Sequence, residues 1–140
     1  MSNHIHKSTT AASKRSLRRD RDWRYHKVFA LKAANEAARV LPLFEREHPD
    51  DARPRKAIEA IRAWGEGKRE LGMVEVRKLS LDAHAAARGA KSDAARFAAR
   101  AAGQAVATWH VPTHALAVPM YAWKARFAGK TSPRYRTRKS

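Results

Sequence analysis

The stretch "SDAARFAARAAGQAVATWH", residues 92–110, decides the fold class. Phe97, Ala98, Ala101, Ala102 and Ala105 recur at the three- and four-residue steps that line one face of an α-helix. Ser92 stands just ahead of that pattern, where its hydroxyl can accept a first-turn backbone N–H as an N-cap. Alanine is the strongest helix former, and a stripe of so small a side chain predicts a helix that its neighbours approach closely. Nothing in the sequence alternates with a period of two for long enough to argue a strand.

Working outward, the same period recurs. Val76, Leu79, Ala83 and Ala86 or Ala87 share a face of a helix predicted over residues 73–88, which Gly89 stops. Ala57, Ile58, Ile61 and Trp64 line a shorter helix that Pro54 starts, its ring suiting a first turn, and that Gly65 and Gly67 end. The first ordered helix is expected to open near Trp23, with Phe29, Ala33, Ala37, Val40 and Phe44 inward. Pro42 cannot donate to the carbonyl of Ala38 and clashes with it, so this helix should end or kink at Leu41. A last helical region covers residues 113–128, punctuated by Pro112 and Pro119. The sum is an all-α, compact single-domain bundle of five or six helices.

At 140 residues the chain is long enough for one domain with its own core. It has no cysteine, which removes disulfides, thiolate catalysis and cysteine-held metals. No run approaches the roughly 20 apolar residues of a membrane span, and residues 1–24 lack a signal-peptide core, so a cytoplasmic location without membrane contact is expected. The formal net charge is +17. It gathers at the ends: residues 1–24 hold seven Lys/Arg against two Asp, and residues 124–140 hold seven with no acid. These ends are rich in Ser, Thr and Arg and too poor in apolar residues to offset the entropy of ordering them. Residues 1–22 and 129–140 are therefore expected to be flexible basic tails around a helical domain, 23–128. Such tails can also hold phosphates, which opens an alternative as a nucleic-acid-associated protein.

Within that domain "AARVLPLFEREHPDDARPRKAIEAIRAW" is followed by "AHAAARGAKSDAARFAARAAGQAVATWHVPTHALAVPMYA". In order and spacing, the helix ending in "VLPLFE", the acidic "PDDARPR" turn feeding "AIEAIRAW", the "AHAAAR" helix and "ATWHVPTHA" resemble the immunity-protein-five-like group of bacterial toxin systems. The resemblance spans about Trp23 to Ala128, with both basic ends outside it. It implies a small helical protein that neutralises a cognate protein toxin by binding and occlusion, without catalysis. The positive charge favours a partner with an acidic surface over one with a basic, nucleic-acid-binding surface.

The residues that could carry a site are few. Arg53 and Arg55 flank Pro54 beside Asp50 and Asp51, and paired arginines can grip a carboxylate. The favoured reading is that an Asp caps the helix while one arginine ties the turn inward; Arg53 is the better tether, because Arg55 has Glu59 four residues away. His84, His110 and His114 are candidate zinc ligands, or Asp82 in place of His84. "HVPTH" nonetheless lacks the glutamate of a metalloprotease helix, and Pro112 pulls Val111 away from helical geometry. The plainer reading leaves His110 at a helix C-terminus and His114 as a half-buried hydrogen-bonding residue in the next turn. Trp64 belongs to the core. Trp109, Tyr121 and Trp123 are expected there too, with a partner-binding patch as the other use of large aromatics near cations. No phosphate loop, nucleophile elbow or carboxylate pair is present, so no enzyme activity, metal or cofactor is expected. Arg53, Arg55, His84, His110, His114, Trp109 and Trp123 are the candidate partner contacts.

Overall fold

The computed structural model describes residues 2–128, with side chains from Arg24 onward. It contains α1 (Ser2–Glu45), α2 (Arg53–Gly65), α3 (Met73–Arg88), α4 (Asp93–Ala107), a short 3₁₀ turn (Pro112–Leu116) and α5 (Ala117–Phe127). There is no strand among the described residues. The described residues form a compact all-α bundle of five helices. The basic segment 129–140 lies outside the described residues, as do the side chains of 1–23.

The alanine-rich stretch is the centre of the bundle. α4 packs against α1, α2, α3 and α5, and its residues Ala95, Ala98, Ala99, Ala101, Ala102, Ala105 and Val106 are all buried. Small side chains around much of its circumference let four neighbours approach one helix. Ser92 caps it as expected, its hydroxyl accepting the Ala95 N–H at 3.1 Å. The same hydroxyl donates to Glu47 in the α1–α2 connection. His48, stacked on Phe44 with centroids 4.9 Å apart, accepts the Lys91 N–H at 3.1 Å. These contacts pin the start of α4 to the end of α1.

α1 departs from expectation in three ways. It opens at Ser2, well ahead of Trp23; no Pro or Gly precedes Pro42, so nothing in the backbone chemistry stops the helix earlier. It also runs through Pro42 to Glu45 instead of breaking at Leu41. Pro42 is exposed, only one rung is lost so near the end, and its own carbonyl still accepts the Arg46 N–H at 3.0 Å. Finally, Phe29 is 45% exposed while Ala30, Ala33, Ala34, Ala37, Val40, Leu41 and Phe44 are buried. The inward stripe begins one residue later than Phe29, and one residue is a rotation of roughly 100°.

α2 buries Ala57, Ile58, Ile61 and Trp64, which is fully inaccessible. It exits through Gly67, whose φ of +76° favours glycine. α3 buries Val76, Ala83, Ala86 and Ala87.

Candidate interaction surface

The charged turn before α2 is local punctuation. The Asp51 carboxylate accepts the Arg53 backbone N–H at 3.1 Å and the Arg53 guanidinium at 2.9 and 2.7 Å. One group thus satisfies a first-turn donor and the side chain beside it, although the N-cap position itself is Ala52. The hydrogen bond from Arg53 holds the Asp51 carboxyl below its ordinary range. The tether runs opposite to expectation: Arg53 folds onto its own turn, and Arg55 reaches another helix. Arg55 grips Glu45 at the end of α1 with two donors, one at 2.7 Å, and keeps Glu59 at 3.7 Å. Both arginines are about half exposed, so each pair contributes about 1 kcal/mol or less. Arg53 also borders a cleft of about 390 Å³ between α2 and α3, where Arg69 pairs with Glu75 and Lys78 with Asp82.

The histidines gather where α3, α4 and the 3₁₀ turn meet. His84 is half-buried on α3 with its ring against Gly103 of α4. Arg100 lies 2.8 Å from its Nδ1; a guanidinium can only donate, so Nδ1 is the acceptor and the ring is neutral. Burial, with Arg100 and Arg88 nearby, pushes the His84 pKa down to about 4. His114 donates from Nδ1 to Gln104 Oε1 at 2.7 Å, and burial lowers its pKa as well. His110 is exposed beyond the end of α4, its ring 5.7 Å from that of His114. Between them Val111 is extended (φ −133°, ψ 102°), as Pro112 demands. Two of the three rings are thus engaged through Nδ1 by their own neighbours. Among the described residues no group of three or more His, Cys, Asp or Glu is arranged to hold a metal ion.

Sequence reasoning missed His26. Its Nε2 donates to the Thr108 carbonyl, and its ring packs in a T-shape with that of Trp64, centroids 5.1 Å apart, joining α1 to the ends of α4 and α2. Thr108 is itself fully buried and donates to the Gln104 carbonyl at 3.2 Å. A lone polar residue at the edge of an alanine stripe carries no periodic signal, so only the tertiary arrangement reveals either role.

The aromatics divide. Trp109 is half-buried against the core, and its indole N–H is buried without a hydrogen-bond partner among the described residues. Tyr121 is half-buried and stacks on Phe97 at 6.3 Å. Trp123 is not core: 60% of it is exposed, because the inward stripe of α5 is Val118, Ala122 and Ala125.

A family model described as "Imm-5 like putative immunity protein" matches residues 22–139. The chain belongs to this family. The match continues to residue 139 and so takes in the C-terminal basic segment nearly to its end, beyond the Ala128 limit that the motifs alone suggest. No curated protein and no solved structure matches the chain. Membership in the Imm-5 like family implies an immunity role, with a toxin as partner in general, and favours a non-catalytic protein. No helix among the described residues is long and apolar enough to cross a membrane.

Proposed function

We propose that this chain is an immunity protein that binds a cognate protein toxin of a polymorphic toxin system and neutralises it by occluding its active surface, with no catalytic step of its own. The observation that carries this is the family match across residues 22–139. Occlusion requires only a complementary surface, and a packed helical bundle can supply one. The folded domain 23–128 is the binding body, and the basic ends favour an acidic surface on the toxin. Binding takes place in the cytoplasm, and the basic ends, 1–22 and 129–140, assist association. The test is co-expression with the product of the adjacent gene in a sensitive host: this chain restores growth and co-purifies with that product.

A second reading follows from the charge at the ends: a nucleic-acid-associated protein that contacts phosphates through Lys and Arg. It predicts oligonucleotide affinity that falls steeply with salt and vanishes when residues 1–22 and 130–140 are removed.

A further inference from the structure

α5 is apolar on two sides. Val118, Ala122 and Ala125 face inward and are at most 5% exposed. On the opposite side Leu116, which ends the 3₁₀ turn and caps α5, is followed by Met120, Trp123 and Phe127 at steps of four, three and four residues, the spacing of a single helical stripe, and the four are 74%, 47%, 60% and 40% exposed. α4, by contrast, turns its apolar residues inward. A contiguous and largely exposed apolar ridge on a small bundle marks a docking face. The Trp123 and Phe127 rings pack on each other at 5.1 Å, so the ridge is partly ordered before anything binds and loses little side-chain entropy on docking.

The surrounding charge identifies what docks. From Ala94 to the end the sequence contains no Asp or Glu. Arg126 is exposed on α5, and the Lys124 ammonium lies over the Phe97 and Tyr121 rings at 5.5 and 5.7 Å. A second copy of the chain would bring the same cations face to face, so self-association is disfavoured. Leu116 and Met120 have nothing to offer a phosphate or a base edge, yet they fit a protein groove. We propose that the outward stripe of α5, centred on Trp123 with Met120 and Phe127, is the face that seats in an apolar groove rimmed by carboxylates on the toxin. This rests on the immunity reading above and specifies its contact surface.

The experiment uses the full chain and, as probe, the purified product of the adjacent gene, with binding followed by calorimetry and association by stopped flow. Trp123→Ala and Met120→Ala lie on the surface and leave the circular dichroism and urea midpoint unchanged. Trp123→Ala is expected to weaken binding at least about thirtyfold, as truncation of a central aromatic anchor does. Arg126→Glu is expected to slow association and flatten its salt dependence, while Val74→Ala, at an 85% exposed site on α3, has no effect. If the unaltered chain binds and protects but both α5 variants bind equally well, the face is wrong and the immunity reading stands. If the unaltered chain neither binds nor protects, both fail. The assignment is also overturned if Trp123→Ala dissociates a dimer, or abolishes binding of a labelled single-stranded oligonucleotide while toxin binding persists.

Discussion

Replacing Gly103 with alanine should destabilise this protein, against the usual gain from removing a glycine in a helix interior. A Cβ at position 103 would stand 2.6 Å from His84 Nε2 and 2.9 Å from its Cδ2 and Cε1. Comfortable contacts need about 3.5 Å or more, so the ring would have to withdraw by roughly 1 Å. Two restraints oppose that movement. Nδ1 is tied to Arg100 at 2.8 Å, and one turn earlier on α3 the Ser80 hydroxyl donates to the Gly103 carbonyl at 3.1 Å, fixing the spacing of the two helices. Overpacking costs about 1–3 kcal/mol and the strained Arg100 bond about 1 kcal/mol, offset by about 1 kcal/mol of improved helix propensity. The net loss should be about 1–3 kcal/mol. With His84→Ala the obstacle is gone, and Gly103→Ala should then stabilise by about 1 kcal/mol, a change of sign that measures the coupling directly. Urea unfolding followed by far-ultraviolet circular dichroism reads all four proteins. A raised midpoint for Gly103→Ala alone, or the same shift in both backgrounds, would refute the reasoning.

The other predictions concern the same scaffold. Stability should fall on acidification. The folded His84 has its pKa lowered to about 4, whereas the unfolded side chain titrates near 6.5, so between those values the unfolded chain binds the proton and the folded one does not. The contribution is complete above about pH 6.5 and is lost as pH falls toward 4. The shift corresponds to roughly 3 kcal/mol, and solvent screening of a half-buried ring reduces it to about 1–2 kcal/mol; His84→Gln should flatten the pH profile of the urea midpoint over that window. Ser92→Ala should cost about 1 kcal/mol or slightly more, since it removes the cap on Ala95 and the bond to Glu47. Arg55→Ala should cost about 0.5–1 kcal/mol, and a double-mutant cycle with Glu45→Ala should recover most of it as coupling, while Arg53→Ala shows no coupling to Glu45.

What could be read from the sequence was whatever a repeating spacing or a backbone rule announces. The α4 stripe, the Ser92 cap, Trp64 in the core and the extended Val111 before Pro112 follow from periodicity and sterics within a few residues. The destination of Arg55 could not be read, because Glu45 competes with Glu59 only once α1 and α2 are packed. His26 on Thr108 and His84 against Gly103 are likewise long-range contacts between unpatterned residues. For α5, the mixed stripes made the choice between core and surface ambiguous for Trp123: both sides of that helix are apolar, and only packing decides which is inward. Pro42 misled because the proline rule gives a penalty without a position; three residues from a helix end, the penalty is small enough to be tolerated.

The central claim, that this chain neutralises a toxin by binding it, is tested most directly by growth of a sensitive host that expresses the adjacent gene with and without this chain. Restored growth is expected, with a stable one-to-one complex recovered from the surviving cells. Unrelieved toxicity, with both proteins soluble and no complex formed, would contradict it.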